Sequence, residues 1–327
     1  MHRETLSEFA AGGKGPQPID VRAALKEAMA RLRTAQVPSH TLAAELLLIP
    51  TLGRDRTWLY THPETALDPG VVEKYFALVA RRAAGEPTQY LTGRQEFWGL
   101  EFEVNPSVLI PRPETEHLVE VALERLGPRG IKIRLDTGAA SPPLRVADVG
   151  TGSGCLAVAL AQELPHANVF ATDISAQALE VARRNAVKNG VADRVHFLQT
   201  NLLDALLPQA SAHPPAGACQ EPQRFDLIVS NPPYIALRDA AGLPREVREH
   251  EPHAALFGGR TGVEIYARLI EQSGVLLGGR GILVLELGYD SADRVLKIVR
   301  ERTGWANVSI TNDLAGIPRV LAAERVT

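Results

Sequence analysis

Two cysteines, Cys155 and Cys219, are all that the 327 residues hold, one beside a glycine-rich loop and the other in a Pro/Ala-rich stretch. Neither a disulfide framework nor a cysteine-based metal site can be built from them, and no catalytic-thiol motif surrounds either. No metal site is expected. Long apolar runs are missing too: none approaches the roughly 18 residues of a membrane span, so a membrane enzyme is excluded. Residues 1–18, with Gly12, Gly13, Gly15, Pro16 and Pro18 among polar neighbours, lack the apolar core of a signal peptide. They read as a frayed tail, which makes the cytoplasm the default location. A basic excess is also absent: 35 Lys and Arg against 38 Asp and Glu leave a net charge of −3. Nucleic-acid-binding domains are usually strongly basic, so direct nucleic-acid binding over an extended surface is not expected.

What remains is an ordinary globular composition, 45% apolar and 22% charged, on a chain long enough for two domains with a core in each. Asp20 can cap a helix whose stripe is Val21, Leu25, Ala28 and Leu32, and Ser39 can cap a second carrying Leu42, Leu46 and Leu47. Asp68-Pro69 opens a third, which Gly85 and Pro87 close. Residues 19–85 are therefore expected to be all-helical, either as a separate domain or as a layer on the catalytic core. Over residues 86–113 the alternation of Leu100, Phe102 and Val104 after Gly99 predicts a hairpin linking the halves.

From 114 to 327 a helix at about 114–126 precedes apolar runs that alternate with helical patterns. The runs are 145–149, 169–172, 195–198, 225–230, 282–287 and 320–323, with helices at 155–164 and 176–189 between the first ones. Continuously apolar strands alternating with helices predict a doubly wound α/β domain covered on both faces. The segments 127–144 and 208–223, rich in Gly, Pro and Ala without periodicity, read as surface insertions.

Asp148-Val149-Gly150-Thr151-Gly152-Ser153-Gly154 follows the first core strand and opens a helix, at the sheet edge where such folds bind ligands. Its third glycine comes two residues after the second, not three as in the dinucleotide fingerprint. A nucleoside amino acid without phosphates fits this loop better than a pyrophosphate, with the loop amides near the amino-acid part. Asp173, at the end of the next strand, is placed to accept both ribose hydroxyls. Asn201 and Leu202 follow the third strand, one to read an adenine edge and the other to cover its ring. Taken alone, the glycine loop also suits any tight strand-to-helix turn, and Asp173 also suits a helix cap, although Ser175 is better placed for that.

Ser230-Asn231-Pro232-Pro233-Tyr234 follows another apolar strand. Two prolines remove two N–H donors and stiffen the loop, and either X-Pro bond is a candidate for the cis isomer. The result is an acceptor-only cradle. An amide or exocyclic amine nitrogen is a poor nucleophile because its lone pair is delocalised. If the Asn231 side-chain oxygen and the Pro232 carbonyl hold its two hydrogens, it can pyramidalise toward a sulfonium methyl. Tyr234 would cover the flat face of the acceptor. The bland reading of the tetrapeptide is a rigid turn with a core tyrosine. Its position downstream of the glycine loop and Asp173 weighs against that.

With both motifs placed, the chain resembles the PrmC/HemK family of methyltransferases that modify the glutamine of the Gly-Gly-Gln motif in class I peptide chain release factors. The resemblance runs from about residue 19 onward. It rests on Pro87 to Gly93, Phe97 to Leu100, Leu109 to Glu116, Asp148 to Gly154, Asp173 to Ser175 and Asn231 to Tyr234. Further matches are Glu251-Pro252, Gly258-Gly259 and Asp313 to Gly316. It implies a class I S-adenosylmethionine-dependent methyltransferase fold, Rossmann-like with a seven-stranded mixed sheet, behind a small helical domain that helps hold the release factor. S-Adenosylmethionine would lie on Gly150, Thr151, Gly152, Ser153, Gly154, Asp173, Asn201, Leu202 and Asn231, leaving as S-adenosylhomocysteine. Asn231, Pro232, Pro233 and Tyr234 would hold the glutamine, with Phe97 and the Arg112 to Glu116 loop walling the pocket, and Asn231, Pro232 and Tyr234 would carry the chemistry. A monomer is expected. The chain departs from the family pattern at Asn201 and Thr261, where acids are usual, and at Pro50 inside a helix. Read from the residues alone, DNA or RNA adenine N6-methylation is the alternative, since that amine poses the same problem; the charge balance ranks it second. An idle scaffold would be expected to have lost one of these groups, and a nicotinamide oxidoreductase fits the glycine spacing poorly.

Overall fold

The computed structural model describes residues 19–127, 143–208 and 224–326. The expected tail and most of the two expected insertions lie outside those residues. The chain divides into two compact units, Met1–Thr92 and Gly93–Thr327.

The first unit is helical: α1 (Val21–Thr34), α2 (His40–Leu52), α3 (Arg56–Thr61), α4 (Pro69–Ala83) and α5 (Thr88–Thr92). Asp20 caps α1 by accepting the Ala23 N–H at 2.7 Å, and Asp68 caps α4 by accepting that of Gly70 at 2.8 Å. Each supplies one of the acceptors that a helix start lacks. Ser39 behaves differently from expectation: its backbone is left-handed at φ 51° and its side chain makes no capping bond, so α2 starts without a hydroxyl cap. Nor does Pro50 break α2, which runs on to Leu52. Val21, Ala28 and Leu32 of α1 meet Leu47 and Leu48 of α2 and Tyr75 and Val79 of α4 in one buried cluster. Tyr75, wholly buried, satisfies its hydroxyl by donating to the Ala44 carbonyl at 3.0 Å.

The second unit opens with the hairpin β1 (Arg94–Phe97) and β2 (Leu100–Glu103), followed by α6 (Glu116–Leu126). Its centre is a seven-stranded sheet. In chain order the strands are β3 (Arg145–Val149), β4 (Asn168–Asp173), β5 (Val195–Gln199), β6 (Phe225–Ser230), β9 (Leu277–Glu286), β10 (Trp305–Asn312) and β11 (Pro318–Arg325). In space the order is β10-β11-β9-β6-β3-β4-β5. A second short pair, β7 (Ile235–Ala236) with β8 (Phe257–Gly259), lies outside it. Neighbours from β5 to β9 are parallel, whereas β11 runs antiparallel to both β9 and β10. One cluster of buried residues centres on α6 and the helix Cys155–Glu163, and another on the helices Glu264–Leu276 and Ala292–Arg300. That two-sided cover is what the unbroken apolar strands require.

Because β4, β3, β6 and β9 are adjacent and parallel, their carboxyl ends share one edge. Val149 pairs with Thr172 and Ser230 with Leu285, so the residues that follow, Gly150, Asp173, Asn231 and Glu286, emerge together.

Candidate active site

The loop after β3 needs its glycines: Gly150, Gly152 and Gly154 have φ of 74°, 54° and 82°, where a Cβ is strained. The Gly150 and Thr151 N–H groups both donate to the Thr172 carbonyl at 2.9 Å, and the Gly152 N–H donates to Asp173 Oδ2 at 2.9 Å. These three amides are thus bonded to β4. What the loop offers is bare backbone at Gly150 and Gly152. Thr151 and Ser153 are buried, and the Thr151 hydroxyl donates to Asp148 Oδ2 at 2.6 Å. At Gly154 a Cβ would come 3.0 Å from that of Ala182, so this glycine lets the helix Ala176–Lys188 pack close. Thr151, Ser153 and Gly154 shape the turn without lining the cavity beside it.

That cavity has a volume of about 280 Å³, near the lower end of the roughly 300–1,000 Å³ usual for small-molecule sites. Gly150, Gly152, Asp173, Asn201, Leu202 and Asn231 all line it, together with Pro233, the stretch Ser107 to Leu109, and Pro252. Among the described residues that line it, Asp173 is the one carboxylate and there is no Lys or Arg, so a phosphate would find no counter-charge from them. Asp173 Oδ1 accepts the Ser175 N–H at 2.9 Å while Oδ2 holds Gly152. Each oxygen keeps a lone pair, a fork suited to two vicinal hydroxyls. Burial pushes the Asp173 carboxyl up, and these backbone donors pull it back. Asp148 is wholly buried: Oδ2 accepts from Thr151 and from the Ala157 N–H at 3.1 Å, Oδ1 has no partner among the described residues, and burial pushes the group up to about 7.

After β6, Ser230 is pinned by donating to the Val149 carbonyl at 2.6 Å. Asn231 Nδ2 then donates to Thr115 Oγ1 at 3.0 Å, and Thr115 Oγ1 donates to Glu286 Oε2 at 2.7 Å. Tyr234 Oη donates to Glu286 Oε1 at 3.3 Å, and burial next to that carboxylate pushes the phenol well up. Neither Asn231 Oδ1 nor the Pro232 carbonyl oxygen accepts a hydrogen bond among the described residues. Two acceptors are thus left open where acceptors are needed. No peptide bond among the described residues is cis, so the prolines stiffen this loop in the trans form. Glycines seat it: a Cβ at Gly258 would run into the Pro233 carbonyl oxygen, one at Gly262 into that of Tyr234, and one at Gly288 would come 2.8 Å from the Tyr234 ring.

Of the residues expected to wall the pocket, Phe97 is elsewhere. Phe97 is 1% exposed because the outward positions of β1 are polar, which leaves it to pack in the core. Its ring meets Phe102 edge-on at 6.1 Å. Arg112 pairs with Glu251, a carboxyl that burial pushes up and the guanidinium holds down, so it ties together two loops without itself lining the cavity. Conversely, Asn185 and Glu286 were not singled out from sequence, and Thr115 only as part of the Arg112 to Glu116 loop. Asn185, wholly buried, donates to the Ser153 carbonyl at 2.8 Å and accepts the Glu103 N–H at 2.7 Å, joining the glycine loop to the hairpin. The available signal was a polar residue inside an apolar pattern: Asn185 on the inner face of its helix, and Glu286 inside Ile282 to Leu287.

Residues 23–93 match the model of the PrmC N-terminal domain, and residues 134–242 that of the methyltransferase small domain. The release factor glutamine methyltransferase of Koribacter versatilis is 42% identical over 309 residues, covering 94% of this chain and all of its own. That of Nitratidesulfovibrio vulgaris is 40% identical over 302 residues, 92% of this chain and 94% of its own. Among solved structures, the hMettl16 catalytic domain in complex with MAT2A 3′UTR hairpin 1 aligns with a TM-score of 0.51 at 18% identity. It covers 76% of this chain and 83% of its own length, a likeness of fold alone.

Proposed function

The chain belongs to the release factor glutamine methyltransferase family, and from that premise we propose that it methylates the side-chain amide nitrogen, N5, of the Gly-Gly-Gln glutamine in class I peptide chain release factors. The methyl donor is S-adenosylmethionine, whose sulfonium supplies an electrophilic methyl when bound. The residues present fit it: Asp173 offers two acceptor positions for the ribose hydroxyls, Gly150 and Gly152 allow close approach, and the described lining residues include no cation for a phosphate. Asn201 and Leu202 flank the place for the adenine, Asn201 supplying an amide where an acid is usual in the family.

The observation that carries the reading is the pair of open acceptors, Asn231 Oδ1 and the Pro232 carbonyl, beside that cavity. The two hydrogens of a primary amide occupy them. With both held, the nitrogen lone pair turns out of conjugation and toward the methyl carbon, and the positive charge that develops on the N–H groups strengthens both bonds. Tyr234 covers the face of the acceptor. The N–H cation formed by methyl transfer is strongly acidic and gives its proton to water, so no general base is required. Residues 19–85 serve as the release-factor-holding domain, 86–113 as the linker and 114–327 as the catalytic domain. The enzyme acts as a cytoplasmic monomer without contacting nucleic acid directly.

The test is to incubate the purified chain with S-adenosylmethionine and either a release factor or adenine-containing DNA, then locate the added mass. Methyl on the Gly-Gly-Gln glutamine is the expected result. Methyl on DNA alone would replace the substrate with adenine.

A further inference from the structure

We infer that Glu286, acting through Thr115, is the positioning residue that determines which end of the Asn231 amide faces the methyl acceptor. The inference rests on the glutamine-methylation reading and deepens it. Asn231 performs its task only if its oxygen, not its nitrogen, meets the incoming N–H group, yet the two ends of a carboxamide are nearly equal in shape. Something must distinguish them. Thr115 alone cannot, because a hydroxyl both donates and accepts. A carboxylate beside it can. In its ionised form Glu286 is an acceptor only, so the Thr115 proton is committed to Oε2 at 2.7 Å, and Oγ1 is left to accept from Asn231 Nδ2 at 3.0 Å. The nitrogen is thereby drawn to Thr115 and Oδ1 stays open. Glu286 Oε1 meanwhile takes the Tyr234 hydroxyl at 3.3 Å, so one carboxylate sets two of the residues around the acceptor.

The carboxylate is built in rather than incidental. Glu286 is 1% exposed directly after the apolar run Ile282 to Leu285, at a substantial desolvation cost that packing alone would not require. Its backbone is fixed by Tyr266, whose hydroxyl donates to the Glu286 carbonyl at 2.7 Å. Arg319, itself paired with Asp313 at 3.0 Å, lowers the carboxyl from β11, whereas burial and Glu114 raise it.

Glu286→Gln tests this with almost no change of volume. The glutamine nitrogen can donate to Thr115 Oγ1, which turns the Thr115 proton toward Asn231 and reverses its amide. Measured on the full chain, kcat for release-factor methylation should fall about a hundredfold, the effect of misplacing a reacting contact. The dissociation constant of S-adenosylmethionine and the KM for release factor should change less than about threefold, since binding surfaces are untouched. Thr115→Val should reproduce the loss, Thr115→Ser should recover most of it, and Glu286→Gln with Thr115→Val should be no worse than either alone, as links of one chain. Near-wild-type kcat in Glu286→Gln, or losses that multiply in the double variant, would overturn the inference. Should Glu286→Gln fail to bind cofactor, the Thr115 pair decides: equal kcat for Val and Ser overturns it. Absence of transfer by the wild-type chain in the same assay would instead refute the glutamine-methylation reading.

Discussion

Asp173 Oδ2 accepts the Gly152 N–H at 2.9 Å, which makes the acid at the end of β4 and the glycine turn after β3 one mechanical unit. Replacing Asp173 by Ala therefore removes the acceptors for the ribose and frees the turn at once. Hydrogen bonds to a charged group contribute about 1.5–3 kcal/mol each, so the dissociation constant of S-adenosylmethionine should rise by at least about tenfold. Calorimetric titration measures this directly. At saturating cofactor kcat should stay within about threefold, because the acceptor loop is separate. An unchanged affinity would remove Asp173 from the cofactor site.

Asn231→Ala should do the reverse. It deletes one of the two acceptors that hold the amide hydrogens and leaves Asp173, Gly150 and Gly152 in place. Loss of a single preorganised group of this kind costs roughly 10²–10³ in kcat. Equilibrium binding of the cofactor should weaken only slightly, since Asn231 is one of many residues that line the cavity. Turnover within a few-fold of wild type would refute its role.

Gly258→Ala tests whether the acceptor loop must sit where it does. The added methyl collides with the Pro233 carbonyl oxygen, a backbone atom that cannot rotate away. The loop must shift, and a displacement of about 1 Å at a reacting contact costs on the order of a hundredfold in rate. Gly53→Ala, with nothing within 4 Å of the new methyl but a φ of 62°, is the control that strains backbone without touching the loop. Steady-state methylation by the two variants should differ by an order of magnitude or more, and equal rates would show that the loop tolerates movement.

The order of the central strands in the second unit, with the helices near 114–126, 155–164 and 176–189, was legible because each central strand is buried on both faces and reads as an apolar run. β10 was not: its residues are half-buried or exposed throughout, as suits an edge strand, and it shows no apolar run. Both loops of the site were legible from glycine and proline spacing. The direction of the amides was not, because whether Gly150 N–H meets a ligand or the Thr172 carbonyl depends on a strand more than twenty residues away. Phe97 was carried over as a pocket wall from the family resemblance, and only the tertiary fold shows that it is buried in the core. Glu286 was hidden by its apolar neighbours, although a lone carboxylate in such a run is costly enough to require a partner. Its partner Thr115 lies 171 residues away.

Two wholly buried carboxyls, Asp148 and Glu286, give the cofactor-free chain an unusual dependence of stability on pH. Burial raises each to about 7, from ordinary values of 3.8 and 4.5. Between about pH 4.5 and 7 the folded chain therefore keeps protons that the unfolded chain has released. Stability must then fall as pH rises through that window and level off above it. The carboxyls whose values are lowered in the fold, such as Glu101 with Lys188 and Glu103 with Arg184, act in the opposite sense but only below their ordinary range, so the two windows separate. Thermal unfolding without cofactor should give a Tm several degrees higher at pH 5.5 than at pH 8. Asp148→Asn should flatten the slope, since the asparagine oxygen can take the place of Oδ2 and accept from Ala157 and Thr151 while the group no longer ionises. A Tm that rises from pH 5.5 to 8, or a slope unaltered by Asp148→Asn, would mean that these carboxyls are ionised in the fold.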